Sequence, residues 1–227
     1  MAIITEILKQ TKLLGGLTPE IIDNYIVPAG KLQNYEKDSY LILTGQRVDT
    51  VKIIMSGKVN VIYYFADGNY TLASTEFSPR VLALDLIATK AGISPYNAIA
   101  AEPTTIFSFP TSVILQPGTL PETERQVVLN QLLIMLSHLH MQKEKHLLIL
   151  SRNRLRDRIM IYLSLQAQWK NTTCITIPFS REELAAYLCV NRSKLSHELS
   201  LMRKDGIIDF SKNKFTLLKY DPQAFTF

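Results

Sequence analysis

Arg192, Ser193, Lys194 and His197 stand in the run NRSKLSHELSLMRKD, whose polar groups have the chemistry to meet base edges and phosphates. Read at 3.6 residues per turn, Leu195, Leu199 and Met202 make one apolar stripe. Ser193, His197, Ser200 and Lys204 then face the other way, with Arg192 and Lys194 flanking the N-terminal end. Such short polar and basic side chains let a helix enter a DNA major groove, and the helix N-terminus favours an anionic phosphate. Asn191 is the N-cap candidate, and Gly206 closes the helix in a left-handed conformation.

A second helix is needed to hold that one in place. Ser180 followed three residues later by Glu183 makes a capping box, and Leu184, Ala185 and Leu188 share one face. The periodicity breaks at Cys189-Val190-Asn191, so the pair reads as a helix-turn-helix with its reading helix second. The competing reading is an ordinary helical hairpin with a solvated basic face. Beyond Gly206, Ile207–Phe210 and Phe215–Leu218 bracket the polar turn Ser211-Lys212-Asn213-Lys214. That is a β-hairpin wing, with Lys212 and Lys214 at its tip to meet a phosphate backbone.

Charge is distributed to suit this reading. Residues 151–227 hold 13 of the 25 Lys and Arg but only 7 of the 20 Asp and Glu, a net of +6 against −1 for residues 1–150. A nucleic-acid module attached to a non-binding module has this asymmetry. The two cysteines, Cys174 and Cys189, have no CxxC spacing, so they are expected to be reduced thiols without a zinc or iron–sulfur role. The N-terminus lacks a signal-peptide pattern, and the uncharged run 126–142 is too polar to span a membrane. A cytoplasmic protein is the expectation.

In chain order, residues 2–14 predict an amphipathic helix ended by Gly15-Gly16, and Thr18-Pro19-Glu20 opens another that runs to Ile26. From 29 to 110 the apolar runs are short, β-branched and aromatic, with turn signals at Thr44-Gly45, Ser56-Gly57 and Asp67-Gly68. That texture predicts a β-sandwich or small barrel, with a hairpin at Asp67-Gly68. From Glu122 to Leu150 there is neither Gly nor Pro. Val128, Leu132, Met135 and Leu139 follow a 4-3-4 spacing, the seam of a helix that pairs with its copy in a second subunit; the alternative is a helix buried in its own domain. A further helix begins at Ser151 with Leu155, Ile159 and Leu163 as its core stripe, and a strand at 174–177 leads into the helix-turn-helix.

Taken together, N-terminal helices, antiparallel barrel, long helix and winged helix-turn-helix resemble the Crp/Fnr superfamily of bacterial transcription regulators over nearly the whole chain. The resemblance implies an α+β fold: an antiparallel β-barrel of jelly-roll (double-stranded β-helix), cyclic-nucleotide-binding-like form, a long dimerisation helix, and a C-terminal winged helix-turn-helix. The implied division is an effector-sensing domain at 1–120, a dimerisation helix at 121–150, and a DNA-binding domain at 151–227. By likeness Arg192 contacts a guanine edge, while Ser180, Arg181 and Asn191 hold phosphates. This chain departs from the family where Ser193 replaces a Glu and His197 replaces a second reading Arg. A different operator, read as an inverted repeat, is therefore expected.

The sensor half departs further. The family's cyclic-nucleotide pocket carries Gly-Glu and then an Arg about ten residues on; here the stretch reads Leu84-Asp85 and Pro95-Tyr96-Asn97, with Lys90 the only cation between Arg80 and Arg125. Lysine lacks the bidentate fork of arginine, so cyclic-nucleotide binding is not expected. The first Cys is Cys174 and the first His is His138, which leaves no iron–sulfur or haem set near the barrel and no metal or cofactor. A small organic effector in the barrel against the long helix remains, with Tyr63, Asp85, Tyr96, Asn97, Leu132 and Leu136 as candidate lining groups, or no effector at all. The implied partners are double-stranded DNA, a second copy of the chain, RNA polymerase and that effector. A cupin-like enzyme would need His and Glu ligands in the barrel, but residues 29–110 contain no His; no Ser/His/Asp set, P-loop or G-x-G-x-x-G is present. A kinase-type regulatory subunit would have no use for the helix-turn-helix.

Overall fold

The computed structural model of the protein describes residues 2–87, 89 and 91–219; Lys90 lies outside them. The fold is α+β and divides into two compact units, residues 1–69 with 73–141, and residues 70–72 with 142–227.

The first unit, together with residues 70–72, holds eight strands among the described residues: β1 (Lys31–Tyr35), β2 (Tyr40–Ile42), β3 (Thr50–Ser56), β4 (Lys58–Tyr64), β5 (Tyr70–Phe77), β6 (Arg80–Leu82), β7 (Asn97–Ala100) and β8 (Thr104–Pro110). They form two four-stranded sheets, ordered β1-β8-β3-β6 and β2-β7-β4-β5. Alternation along β3 and β8 explains how one sheet serves two cores. Val51, Ile53, Met55, Phe107 and Phe109 face a core shared with helices, whereas Ile54 and Ile106 face an inner core with Ile42, Val59, Val61, Leu82 and Ala98. The Asp67-Gly68 turn joins β4 to β5 as expected, with Phe65 N–H donating to the Asn69 carbonyl at 2.8 Å and Gly68 at φ 82°. Gly30 precedes β1 because a Cβ there would lie 2.1 Å from the Phe107 ring.

At the N-terminus the helix is shorter than its periodicity predicts. Helix α1 covers Ala2–Gln10, because the Thr11 hydroxyl donates to the Leu8 carbonyl at 2.6 Å and turns the chain. Leu13 and Leu14 then enter the helix-side core, fully buried. The next helix starts with α2 (Pro19–Ile21), capped by Thr18, and continues as a π-helical segment, Ile22–Ile26. A short α3 (Ser112–Leu115) leads to α4 (Glu122–Leu150), which starts directly after Pro121 and contains neither Gly nor Pro.

One apolar stripe of α4 is not where the spacing put it. Val128 is 0% and Leu132 4% exposed in the helix-side core, and Met135 and Leu139 pack against the same core. Their burial is complete or partial within one chain, so this stripe is not a free seam. Val127, Ile134 and Met141, seven residues apart, are 37%, 48% and 54% exposed.

The second unit holds α5 (Leu155–Lys170), β9 (Cys174–Thr176), α6 (Arg181–Tyr187), α7 (Arg192–Lys204), β10 (Ile208–Ser211) and β11 (Lys214–Leu217). Helix α5 starts four residues later than Ser151, at an extended Arg154, since the Arg158 side chain turns back to donate to the Arg152 carbonyl at 2.7 Å. Its stripe Leu155, Ile159 and Leu163 is buried. The sheet order is β10-β11-β9, so β9 becomes the third strand of the wing sheet.

Candidate nucleic-acid interface

Both helices of the motif are capped by their own side chains. Ser180 Oγ accepts from Glu183 N–H at 3.2 Å, while Ser180 N–H donates to Glu183 Oε2 at 2.7 Å, completing the capping box before α6. Asn191 Oδ1 accepts from Lys194 N–H at 2.8 Å and opens α7. These caps use acceptor oxygens, which leaves the Ser180 hydroxyl hydrogen and the Asn191 amide hydrogens as donors.

Leu195, Leu199 and Met202 are fully buried on the inner face of α7. Arg192, Ser193, Lys194 and His197 are all exposed on the outer one. Helix α7 is followed by Gly206 at φ 66°, as the sequence requires. The turn between α6 and α7 places Cys189 at φ 55°, a left-handed conformation that an L side chain adopts at a cost of about 1–2 kcal/mol. Cys189→Gly is therefore expected to raise the thermal midpoint of unfolding, by roughly 1 kcal/mol of stability. A calorimetric scan showing equal or lower stability would refute that strain.

Three arginines missed by the sequence reading, or read differently there, set the geometry. Arg156 on α5 donates from Nε to Glu198 Oε1 and from Nη1 to Asp205 Oδ2, both at 2.7 Å, and so ties α5 to both ends of the second half of α7. Arg203 lies with its guanidinium 3.9 Å from the Phe210 ring centroid and pairs with Asp209 at 2.9 Å. Arg181 covers Phe210 and Phe215 at 5.0 and 5.6 Å and donates to the Lys212 carbonyl at 3.2 Å. Burial, followed by the charges of Arg192 and Arg203, holds Arg181 below the usual arginine range. Expected as a phosphate ligand, Arg181 spends one donor and its flat face on holding the wing to α6.

The wing itself is the two-strand ladder from Ile208↔Leu217 to Ser211↔Lys214. Lys212 sits at its tip at φ 53°, and both Lys212 and Lys214 are exposed. Within the same unit the His146 ring stacks on Tyr187 at 3.9 Å and 4°, with Nε2 2.8 Å from the Tyr187 carbonyl. Burial pushes the His146 imidazole below its usual range. His138 and His140 are exposed on α4, and among the described residues no group of three His, Cys, Asp or Glu side chains is placed to hold a metal ion.

In the β unit, three of the candidate lining groups do meet. The Tyr96 hydroxyl donates to Asp85 Oδ1 at 2.5 Å, and the Tyr63 ring stands edge-on to Tyr96 at 5.8 Å. Burial and then Asp85 push the Tyr96 phenol upward. Glu76, which the sequence reading passed over, is buried beside Arg80 Nε at 2.6 Å, and burial raises its carboxyl. Asn97 instead accepts from Thr44 N–H at 3.0 Å. Leu132 and Leu136 belong to the helix-side core, whereas Tyr96 and Tyr63 belong to the inner one. The structure therefore does not bring all six groups into one lining.

Among the described residues, no helix is long and apolar enough to cross a membrane. No curated protein matches the chain. Residues 147–222 match the family described as the Crp-like helix-turn-helix domain. The fold is similar to that of FixK2 from Bradyrhizobium japonicum, with a TM-score of 0.65 at 18% identity over 86% of this chain and 94% of that one. For CLP, the c-di-GMP responsive global regulator of Xanthomonas campestris, the TM-score is 0.71 at 14% identity, covering 89% and 100%. A CooA mutant from Carboxydothermus hydrogenoformans gives 0.62 at 18%, covering 94% and 97%. Residues 147–222 thus match the Crp-like helix-turn-helix domain, in a chain whose α+β fold is that of FixK2 and CLP.

Proposed function

We propose that this protein is a cytoplasmic, homodimeric transcription regulator that reads an inverted-repeat operator and is not an enzyme. The observation that carries the reading is α7: its apolar stripe is fully buried, and Arg192, Ser193, Lys194 and His197 are left together on the open face. Arg192 contributes two donors for guanine O6 and N7, and Ser180, Asn191, Lys212 and Lys214 supply donors for phosphates. The working division is a sensing part at 1–120, a pairing helix at 121–150 and a DNA-binding part at 151–227. RNA polymerase is a partner of such a regulator. Genomic footprinting tests the proposal: bound sites should share one inverted repeat, and scattered binding without a common motif would refute specific reading.

The effector, in this reading, is a small organic molecule other than a cyclic nucleotide. Support comes from the Tyr63, Asp85 and Tyr96 cluster, which offers a carboxylate and phenols where a cyclic phosphate needs a cation. Arg80, the nearest arginine in sequence, is paired with Glu76. Calorimetry with cyclic AMP and cyclic GMP should show no binding. Micromolar affinity for either would overturn the exclusion.

A further inference from the structure

Three strands of one sheet bring two lysines to either side of a serine. Lys31 on β1 is opposite Ser108 on β8, and Ser108 is opposite Lys52 on β3. The row lies on the same sheet face as Ile54 and Ile106, two residues further along their strands, and those belong to the inner core. Lys52 is accordingly half-buried, and Ser108 is only 5% exposed.

As folded, this row is poorly matched. Strands are spaced by about 4.8 Å, so the two lysine backbones are separated by about 10 Å, within reach of two long side chains bending toward one point. Burial, and after it the charge of Lys31, pushes the Lys52 ammonium below the usual lysine range, while Asp49 acts in the opposite sense. Asp49 does not pair with it: among the described residues neither lysine has an ion pair or side-chain hydrogen bond, and the Ser108 hydroxyl has no hydrogen-bond partner. Ser108 is thus flanked by a half-buried Lys52 and an exposed Lys31, three donors without a partner whose arrangement favours an anion.

We propose that Lys31, Ser108 and Lys52 form a binding site for the anionic head group, carboxylate or phosphate, of a small molecule. Each lysine donates a charge-assisted hydrogen bond from its own side, and Ser108 donates from the floor. Neither the Tyr63/Asp85/Tyr96 cluster nor DNA reading is involved, so failure of those readings leaves this one standing.

The test uses the full chain with ¹³C-methylated lysines, titrated by NMR with inorganic phosphate and, separately, acetate, at ionic strength held constant with chloride. The Lys31 and Lys52 resonances, assigned through Lys31→Gln and Lys52→Gln, should shift together and saturate. The anion that saturates at lower concentration names the head group. Lys52→Gln should weaken binding about tenfold or more, and Ser108→Ala about threefold. The wing and reading-helix lysines report any separate binding to the DNA face. Lys52→Met should raise the thermal midpoint without phosphate and abolish the further rise that phosphate causes. Equal, unsaturated shifts at all lysines would mean an adventitious ion only and would overturn the site. So would binding undiminished in Lys52→Gln.

Discussion

In the proposed homodimer, Ile134→Glu combined with Met141→Glu should give monomers and lower affinity for the proposed inverted repeat by about 10²–10⁴-fold, the avidity lost when two reading helices are no longer linked. The β unit should stay folded, because both side chains are about half exposed there, Ile134 at 48% and Met141 at 54%. Leu132→Glu is the contrasting variant. Leu132 is 4% exposed in the helix-side core, so a glutamate there buries a charge without a partner and unfolds the unit instead of dissociating it. Even Leu132→Ala should cost about 2–5 kcal/mol. Sedimentation velocity and circular dichroism separate the two effects. A double variant that remains a dimer would remove this stripe of α4 from the interface.

Arg192→Ala is the second large effect. Losing a bidentate contact to guanine should relax the preference at one symmetric base pair by about 1–3 kcal/mol while leaving nonspecific affinity nearly intact. Lys214→Ala on the wing should do the reverse, weakening all sequences alike and flattening the salt dependence by about one unit of slope per lost contact. The two-fold axis should set the half-sites about 34 Å apart. Binding curves on operator variants at several salt concentrations decide the matter. Uniform loss for Arg192→Ala together with altered base preference for Lys214→Ala would mean that the helix and the wing dock in exchanged roles.

Both effects depend on groups that were visible in the sequence to different degrees. The reading helix was legible because its determinants are local. Ser180 with Glu183, Asn191 with Lys194, and Gly206 act within three or four residues of each other or at a single backbone angle. The supports of that helix were not. Arg156 meets Glu198 across 42 residues, and Arg181 reaches the carbonyl of Lys212 across 31. No periodicity connects such positions, and an arginine in a basic domain looks the same whether it will face a phosphate or a phenylalanine.

Residues 122–150 show the same boundary within a single element. That stretch by itself determined an uninterrupted helix, because helix formers without Gly or Pro satisfy their backbone hydrogen bonds locally. It also displayed the apolar stripe Val128/Leu132/Met135/Leu139, which its spacing allows to face either a second subunit or its own domain. Only the tertiary structure decided between them. Burial against the Phe107 and Phe109 face of the β sheet claims that stripe and leaves Val127, Ile134 and Met141 exposed, since a helix one turn wide can present only one face to the sheet it covers.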